Sequence, residues 1–411
     1  MSEKLPFWAT KFFDFKSSKP INRITYTGSH AEFTSRVVRK MAELGMSLSI
    51  DDIGNICGSI EGSSANPSVC ISSHTDSVID GGQFDGLAGI ILGLVTIEKL
   101  LLEKKTLNGN IKLIICAAEE STRFKSACLG SKYLAGKLST KDFSILKDAN
   151  NITLKSAAEG YISLLQQYLS DIPITKVSHV ISKKEIDTAI ELHIEQYESL
   201  FESENNIGIV TSICAPYRAE VTINGFPDHS GSTPMDKRAD SILALSYLAI
   251  KLNEFALHNT ENIRATLTKI EQLTEPSINT ISEKSYGWID IRQQYPFTAS
   301  ETKQSLQKIV TEIENLTNTT FNVSVLTADT PIQMNPTLVQ KLYEISTNLG
   351  LKTIKMPSWA GHDLAYIPAK EAVLIFIPST GGSHNPLEST TEENMVNGCK
   401  VMFQFLKKYF I

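Results

Sequence analysis

The 411-residue chain has no apolar run near the ~20 residues a membrane-spanning helix needs, no CxxC pair among its six cysteines and no basic cluster. The first absence argues against a membrane role. The second argues against a cysteine-ligated zinc module or a disulfide framework. The third, with a net charge of −6, argues against nucleic acid as the main partner. The start, Met1-Ser2-Glu3-Lys4-Leu5-Pro6, lacks the basic-then-apolar order of a signal peptide. Cys57, Cys70, Cys116, Cys128, Cys214 and Cys399 lie mostly inside apolar runs and read as buried, reduced thiols. A cytoplasmic protein is therefore expected. A hydrophobic content of 42% and a charged content of 20% describe a globular chain, and its length implies two domains.

What is present begins with strands and helices in alternation. Ser29-His30-Ala31-Glu32 fits a capping box, Phe33, Val37, Val38, Met41 and Leu44 share one face, and Gly45 closes the helix. Ile56–Ile60 and Val69-Cys70-Ile71 read as buried strands, and a long apolar helix is expected from Leu87 to Lys104. Ile111 to Ala118 is the clearest buried strand. This alternation predicts an α/β domain with a mostly parallel central sheet, whose ligands sit at the carboxyl ends of the strands. From 216 to 326 the order changes to strand (Arg218 to Asn224), helix (Met235 to Leu257), strand (Arg264 to Ile270), strand (Tyr286 to Arg292), helix (Ala299 to Leu316), strand (Phe321 to Leu326). Thr298-Ala299-Ser300-Glu301 is a second capping box, and the βαββαβ order is ferredoxin-like. Asn335-Pro336 then opens a helix, Glu371 to Ile377 returns as a strand, and Met395 to Phe410 forms the last helix. The expected organisation is a catalytic domain over 1–215 and 327–411, interrupted by a small α+β domain over 216–326.

Chemistry gathers at the strand ends. Ser72-Ser73-His74-Thr75-Asp76-Ser77 leads into Asp80-Gly81-Gly82-Gln83-Phe84-Asp85-Gly86. An imidazole and a carboxylate there can ligate a divalent metal, with a second carboxylate orienting the imidazole. Asp and Gly are also ordinary turn residues, so the motif alone leaves both readings open. Glu119-Glu120 follows an apolar strand, where paired carboxylates are costly unless a cation is near or the loop is solvated. His193, in Glu191-Leu192-His193-Ile194-Glu195, sits on a half-buried pattern that a structural histidine also satisfies. His384 lies in the tight Gly381-Gly382-Ser383-His384-Asn385-Pro386 loop. As a set, these residues supply mixed N/O ligands for two metals and leave Glu119 available as a base. Zinc suits the set, with manganese or cobalt as alternatives.

These blocks resemble the amidase/hydantoinase/carbamoylase branch of the co-catalytic zinc aminoacylase and carboxypeptidase family. The resemblance is carried by Ser73-His74-Thr75-Asp76, Gly81-Gly82-Gln83-Phe84-Asp85-Gly86, Glu119-Glu120-Ser121-Thr122-Arg123-Phe124 and Leu129-Gly130-Ser131. It continues through Glu191-Leu192-His193-Ile194-Glu195-Gln196, Asp228-His229-Ser230-Gly231-Ser232-Thr233-Pro234-Met235, Ala360-Gly361-His362-Asp363 and Ser383-His384-Asn385-Pro386. It implies a zinc-exopeptidase-like catalytic domain and a lid/dimerisation domain of ferredoxin type. Asp85 would bridge two divalent ions, His74 and His193 completing one site, Glu120 and His384 the other. Glu119 would be the base and Asp76 the partner that orients His74. His229 would stabilise the oxyanion in a partner subunit's site, implying a homodimer with shared active sites. Asn279 and Arg292 would hold a substrate carboxylate, with Gln196 and His362 lining the pocket. For Arg292 a surface salt bridge with Asp290 is the competing reading.

The expected activity is hydrolysis of N-carbamoyl-L-amino acids to amino acid, ammonia and carbon dioxide. Allantoate or ureidoglycolate hydrolysis is the alternative, and an N-acyl-amino acid hydrolase or peptidase a weaker one, because peptidase relatives use a carboxylate where His193 falls. A catalytically silent scaffold is the rival outside enzymes. Tyr197 replaces a usual glycine, Ser121 replaces another, and the approach to His384 is one residue shorter than in many members; the first and last bear on the substrate.

Overall fold

Runs of β-branched and other apolar residues build one large sheet in the first of two compact units. In this computed structural model, which describes residues 3–64, 68–103, 107–181, 185–272 and 277–410, the chain divides into Met1–Thr211, Met334–Met356 and His362–Ile411, and into Ser212–Gln333 with Pro357–Gly361. Four central strands of the large sheet, Ala369–Ile377, Ile186–Ile194, Val69–His74 and Ile111–Cys116, run parallel. Antiparallel strands flank them, Ile207–Ile213 on one side and Ile56–Ile60 on the other, and Ser47–Ile50 pairs antiparallel with the latter. Val69–His74 is buried along its whole length, which is why it reads as a continuous run and not an alternation.

Parallel registry brings the ends of these strands level. His74 is opposite Cys116, and Phe376 is opposite His193. The loops that leave the four strands therefore emerge together at their carboxyl ends, where open α/β sheets bind ligands. Helices Leu87–Leu102 and Glu392–Tyr409 pack together, and the first lies against the central strands. The expected end of the former at Lys104 lies outside the described residues. Among the described residues, no helix is long and apolar enough to cross a membrane, and all six cysteines are free and buried.

Two local expectations are corrected. The helix Gly28–Glu43 is capped by Thr27, whose side chain accepts from the His30 N–H, and not by a box starting at Ser29. Both registers offer a hydroxyl; starting at Gly28 puts His30 and Ala31 in the core. The helix expected from Met235 instead begins at Ser241, because Asp240 caps the Ile242 and Leu243 N–H groups; Met235–Lys237 is a separate 3-10 turn.

In the second unit, four strands form a sheet in the order Thr320–Ala328, Ala215–Asn224, Lys284–Gln293, Ile263–Glu271, all neighbours antiparallel. Helix Ser241–Leu257 links Ala215–Asn224 to Ile263–Glu271 and helix Ala299–Thr317 links Lys284–Gln293 to Thr320–Ala328, each joining an inner strand to the edge strand beyond its neighbour, giving the ferredoxin-like arrangement. Lys284–Gln293 alternates buried and half-buried residues. Its Ile289 and Ile291 meet Leu245, Leu248, Leu306 and Val310 in one core. The Thr298–Glu301 capping box is present in both directions.

One buried acid tests the electrostatics of the first unit. Asp51 accepts hydrogen bonds from the Ile53 and Asn55 N–H groups and from Asn55 Nδ2. Burial pushes its carboxyl up to about 7, against those bonds. Unfolded, it would ionise near 3.8, so the unfolded chain holds fewer protons between the two values and stability falls as pH rises through that window. Asp51→Asn should flatten the decline in unfolding free energy between pH 5 and pH 7, by a difference on the order of a few kcal/mol. Identical pH slopes for the two proteins would refute the shift.

Candidate metal centre and active site

Asp85 lies at the middle of the strand-end loops. His193 Nε2 is 3.1 Å from its Oδ1, His74 Nε2 is 3.7 Å from the same oxygen, and His384 Nε2 is 3.4 Å from Oδ2. His384 is also 3.6 Å from Glu120 Oε1. Two groups that could hold a metal ion follow, His74–Asp85–His193 and Asp85–Glu120–His384, each with its donor atoms within 4.8 Å of one another. Asp85 belongs to both. A third group of the same kind, Glu191–His193–His362, shares His193.

Backbone contacts orient the imidazoles. His74 Nδ1 is 3.1 Å from the Asp76 carbonyl oxygen and 3.4 Å from Asp76 Oδ1. His193 Nδ1 is 2.9 Å from the Ile194 carbonyl oxygen. Each Nδ1–H donating in this way leaves Nε2 as the ligand atom. Asp76 Oδ2 accepts from the Glu120 N–H at 3.1 Å, tying the first loop to the second. Gly86, with φ +64, admits the crossing of His74: a Cβ there would lie 2.3 Å from Nε2.

The donor chemistry fits divalent cations. Burial drives Glu120 well above the usual carboxylate range, and the charges of Glu119 and Asp85 push the same way. Burial opposes a charge on His193, but the hydrogen bond and charge of Asp85 overcome it and lift the imidazole to about 9. The Asp85 hydrogen bond lifts His384 to about 9 as well, against burial. Protein charges alone thus hold protons at the ligand atoms, in a site with more buried carboxylates than cations. Divalent ions satisfy those carboxylates directly.

The remaining expected residues fall into two sets. In the first unit, Glu119 Oε2 is 3.9 Å from His74 Nε2, outside both groups that contain Asp85. His362 is buried and packs edge-on against His193, with ring centroids 4.8 Å apart. Gln196 Oε1 is buried with no hydrogen-bond partner among the described residues. In the second unit, the segments bearing His229 and Asn279 are bonded, the Ser230 N–H donating to the Asn279 carbonyl oxygen at 2.8 Å. His229 Nδ1 accepts from the Gly231 and Ser232 N–H groups at 3.0 and 3.1 Å, so Nε2 carries the proton of the neutral ring. Arg292 is held in a two-pronged pair by Asp290, at 3.0 and 3.1 Å.

Several contributors were not singled out in the sequence. Glu388 Oε1 accepts from the Phe84 and Asp85 N–H groups at 2.8 and 3.1 Å, and Oε2 accepts from Ser383. It joins the Asp85 loop to the His384 loop, and a Cβ on Gly82 would lie 2.2 Å from it. Arg23 is buried beneath the first loop, Nε donating to the Thr75 carbonyl oxygen at 2.8 Å. Buried Glu191 takes the Ser73 hydroxyl and the Leu364 N–H. Only their placement beside motif residues hinted at these roles.

A parallel sheet presenting a shared carboxylate, three imidazoles and a flanking pair of glutamates defines a metal-dependent hydrolase. The chain belongs to the peptidase family M20/M25/M40, whose model matches residues 70–408. It is 31% identical over 397 residues to an uncharacterized hydrolase of Haemophilus influenzae, covering 94% of this chain and 93% of that protein. It is 28% identical over 391 residues to an N-carbamoyl-L-amino-acid amidohydrolase of Paenarthrobacter aurescens, covering 94% and 92%. It is 28% identical over 407 residues to the allantoate amidohydrolase of Escherichia coli, covering 98% and 95%. Among solved structures, an amidase of the hydantoinase/carbamoylase family from Burkholderia multivorans matches with a TM-score of 0.82 and 25% identity, covering 99% of this chain and 98% of that one.

Proposed function

We propose that this protein hydrolyses the linear carbon–nitrogen bond of a small ureido compound that carries a carboxylate, N-carbamoyl-L-amino acids being the preferred class. The observation that carries the reading is the pair of donor groups sharing Asp85, with Glu119 beside them and outside both. Asp85 would stand between two divalent ions, His74 and His193 on one side, Glu120 and His384 on the other, with Asp76 orienting His74. Such ions, zinc first and manganese or cobalt as alternatives, polarise a carbonyl and lower the pKa of water. Glu119 takes the proton of the attacking water and returns it to the leaving nitrogen. His229 of the partner subunit donates Nε2–H to the oxyanion. Cleavage of the carbamoyl bond frees the amino acid and leaves carbamate, which breaks down to ammonia and carbon dioxide.

Arg292 would clamp the substrate carboxylate, with Asn279 donating beside it and Gln196 and His362 lining the pocket. The Asp290 pair holds the guanidinium in a fixed plane, which supports this role as well as the alternative of a purely structural salt bridge. The two separate by kinetics. Arg292→Ala should raise KM roughly 10- to 100-fold, the loss of a charge-assisted hydrogen bond, with a much smaller change in kcat. An unchanged KM would reject the clamp.

A homodimer is supported by apolar residues exposed on the second unit. Ile242, Leu243, Ile250 and Leu257 lie on its first helix, and Val325 and Leu326 on the sheet's edge strand. A monomeric mass by light scattering would refute it. We further propose a cytoplasmic location, on the six cysteines being buried and unpaired with one another; a periplasmic or secreted fraction would refute that.

A second reading, allantoate or ureidoglycolate hydrolysis, is favoured by the full-length similarity to the Escherichia coli enzyme. Ammonia release by the zinc- or manganese-loaded protein decides between them. Turnover of N-carbamoyl-L-amino acids alone supports the first reading, and turnover of allantoate or ureidoglycolate supports the second. No release from any of them, with cleavage of N-acetyl amino acids, would overturn both.

A further inference from the structure

The segment that carries Glu119 is built with unusual backbone. Ala118, immediately before it, has φ +53, and Cys128 has φ +57 and ψ +38, both left-handed and neither glycine. Left-handed residues of this kind cost on the order of 1 kcal/mol and cluster where function demands them. The N–H groups of Cys128, Leu129 and Gly130 donate to the carbonyl oxygens of Glu119, Ala118 and Ala117 at 2.8, 2.9 and 2.8 Å. The two segments are thereby zipped together, and the Cys128 side chain is turned onto the Glu119 carboxylate. Its Sγ lies 3.1 Å from Oε1.

We propose that Cys128 is a positioning residue for Glu119, its S–H donating to Oε1 so that Oε2 is held on the His74 side of the site. The geometry of Oε2, 3.9 Å from His74 Nε2, agrees with this. Burial and the neighbouring charges of Glu119 and Asp363 keep the sulfur protonated and therefore a donor. A carboxylate anchored through one oxygen loses rotational freedom and meets the water in one orientation, which is how an outer hydrogen-bond partner raises the rate. Glycine would satisfy the left-handed backbone at position 128 more easily. The thiol is the part of the residue that glycine lacks, and its partner is Glu119. This inference rests on the reading of Glu119 as the base.

The test uses the metal-loaded full-length protein and whichever ureido substrate releases ammonia. Cys128→Ala and Cys128→Gly should each lower kcat about 10- to 100-fold, with KM and metal content unchanged. Cys128→Ser, which keeps a hydroxyl donor, should recover most of the loss. The glycine variant guards against misfolding, since it removes the donor without demanding a left-handed side chain. Full kcat in the alanine and glycine variants would overturn the proposal. So would a loss shared equally by serine and matched by falling melting temperatures, which marks a packing role. Glu119→Gln is the control: if it stays active, the base reading fails and takes this proposal with it. If it is inactive while the alanine variant runs at full rate, only the Cys128 proposal fails.

Discussion

Glu119→Gln is expected to lower kcat by roughly 10²- to 10⁴-fold, the range for loss of a general base. The substitution preserves size and shape, and the Oε1 acceptor for Cys128 can be kept. What it removes is the capacity to take a proton and pass it on. Because Glu119 stands outside both metal groups that contain Asp85, metal content should match that of the unaltered protein. Turnover and elemental analysis on the same sample check the two halves. A kcat within tenfold of the original would reject the base. Loss of metal together with activity would instead make Glu119 a ligand.

If Asp85 is shared by two divalent ions, as proposed, Asp85→Ala should remove them and bring turnover to background. No other residue belongs to both groups His74–Asp85–His193 and Asp85–Glu120–His384. Its carboxylate also accepts the Ser383 hydroxyl at 2.7 Å, so its loss loosens the loop that carries His384. The three imidazoles would then lose the carboxylate that all of them approach. Metal analysis after dialysis measures the outcome directly. Two ions retained per subunit, with measurable turnover, would refute a shared carboxylate.

Much of this arrangement is legible in the sequence because strand ends are legible. Val69 to Ile71 and Leu113 to Ala118 are continuous apolar runs, and ionisable residues placed shortly after such a run lie where the strand ends. His74 and Glu119-Glu120 declare themselves in this way. The βαββαβ order is legible for the same reason, as alternation gives way to helical periodicity. Contacts that depend on where loops meet are not legible. Glu388 reaches the backbone of Phe84 and Asp85 across more than three hundred positions, and no local pattern encodes that approach. Cys128 sits nine residues from Glu119, but it faces the carboxylate through two left-handed turns that the residues Ala118 and Cys128 do not advertise. Thr27 and Ser29 offer equivalent hydroxyls, and only the packing of His30 and Ala31 chooses between them.

The span between Asp85 and His384 has a temporal meaning during synthesis. Proteins are made from the N-terminus at about 5–20 residues per second, so roughly 15–60 s separate the appearance of these two side chains. His74, Asp85, Glu120 and His193 are available to a nascent chain; His384 and the Glu388 brace that holds its loop arrive in the last tenth. A nascent chain therefore holds all three residues of one donor group and two of the three of the other. On the proposed reading, the group that contains His384 therefore closes only when the chain is nearly complete.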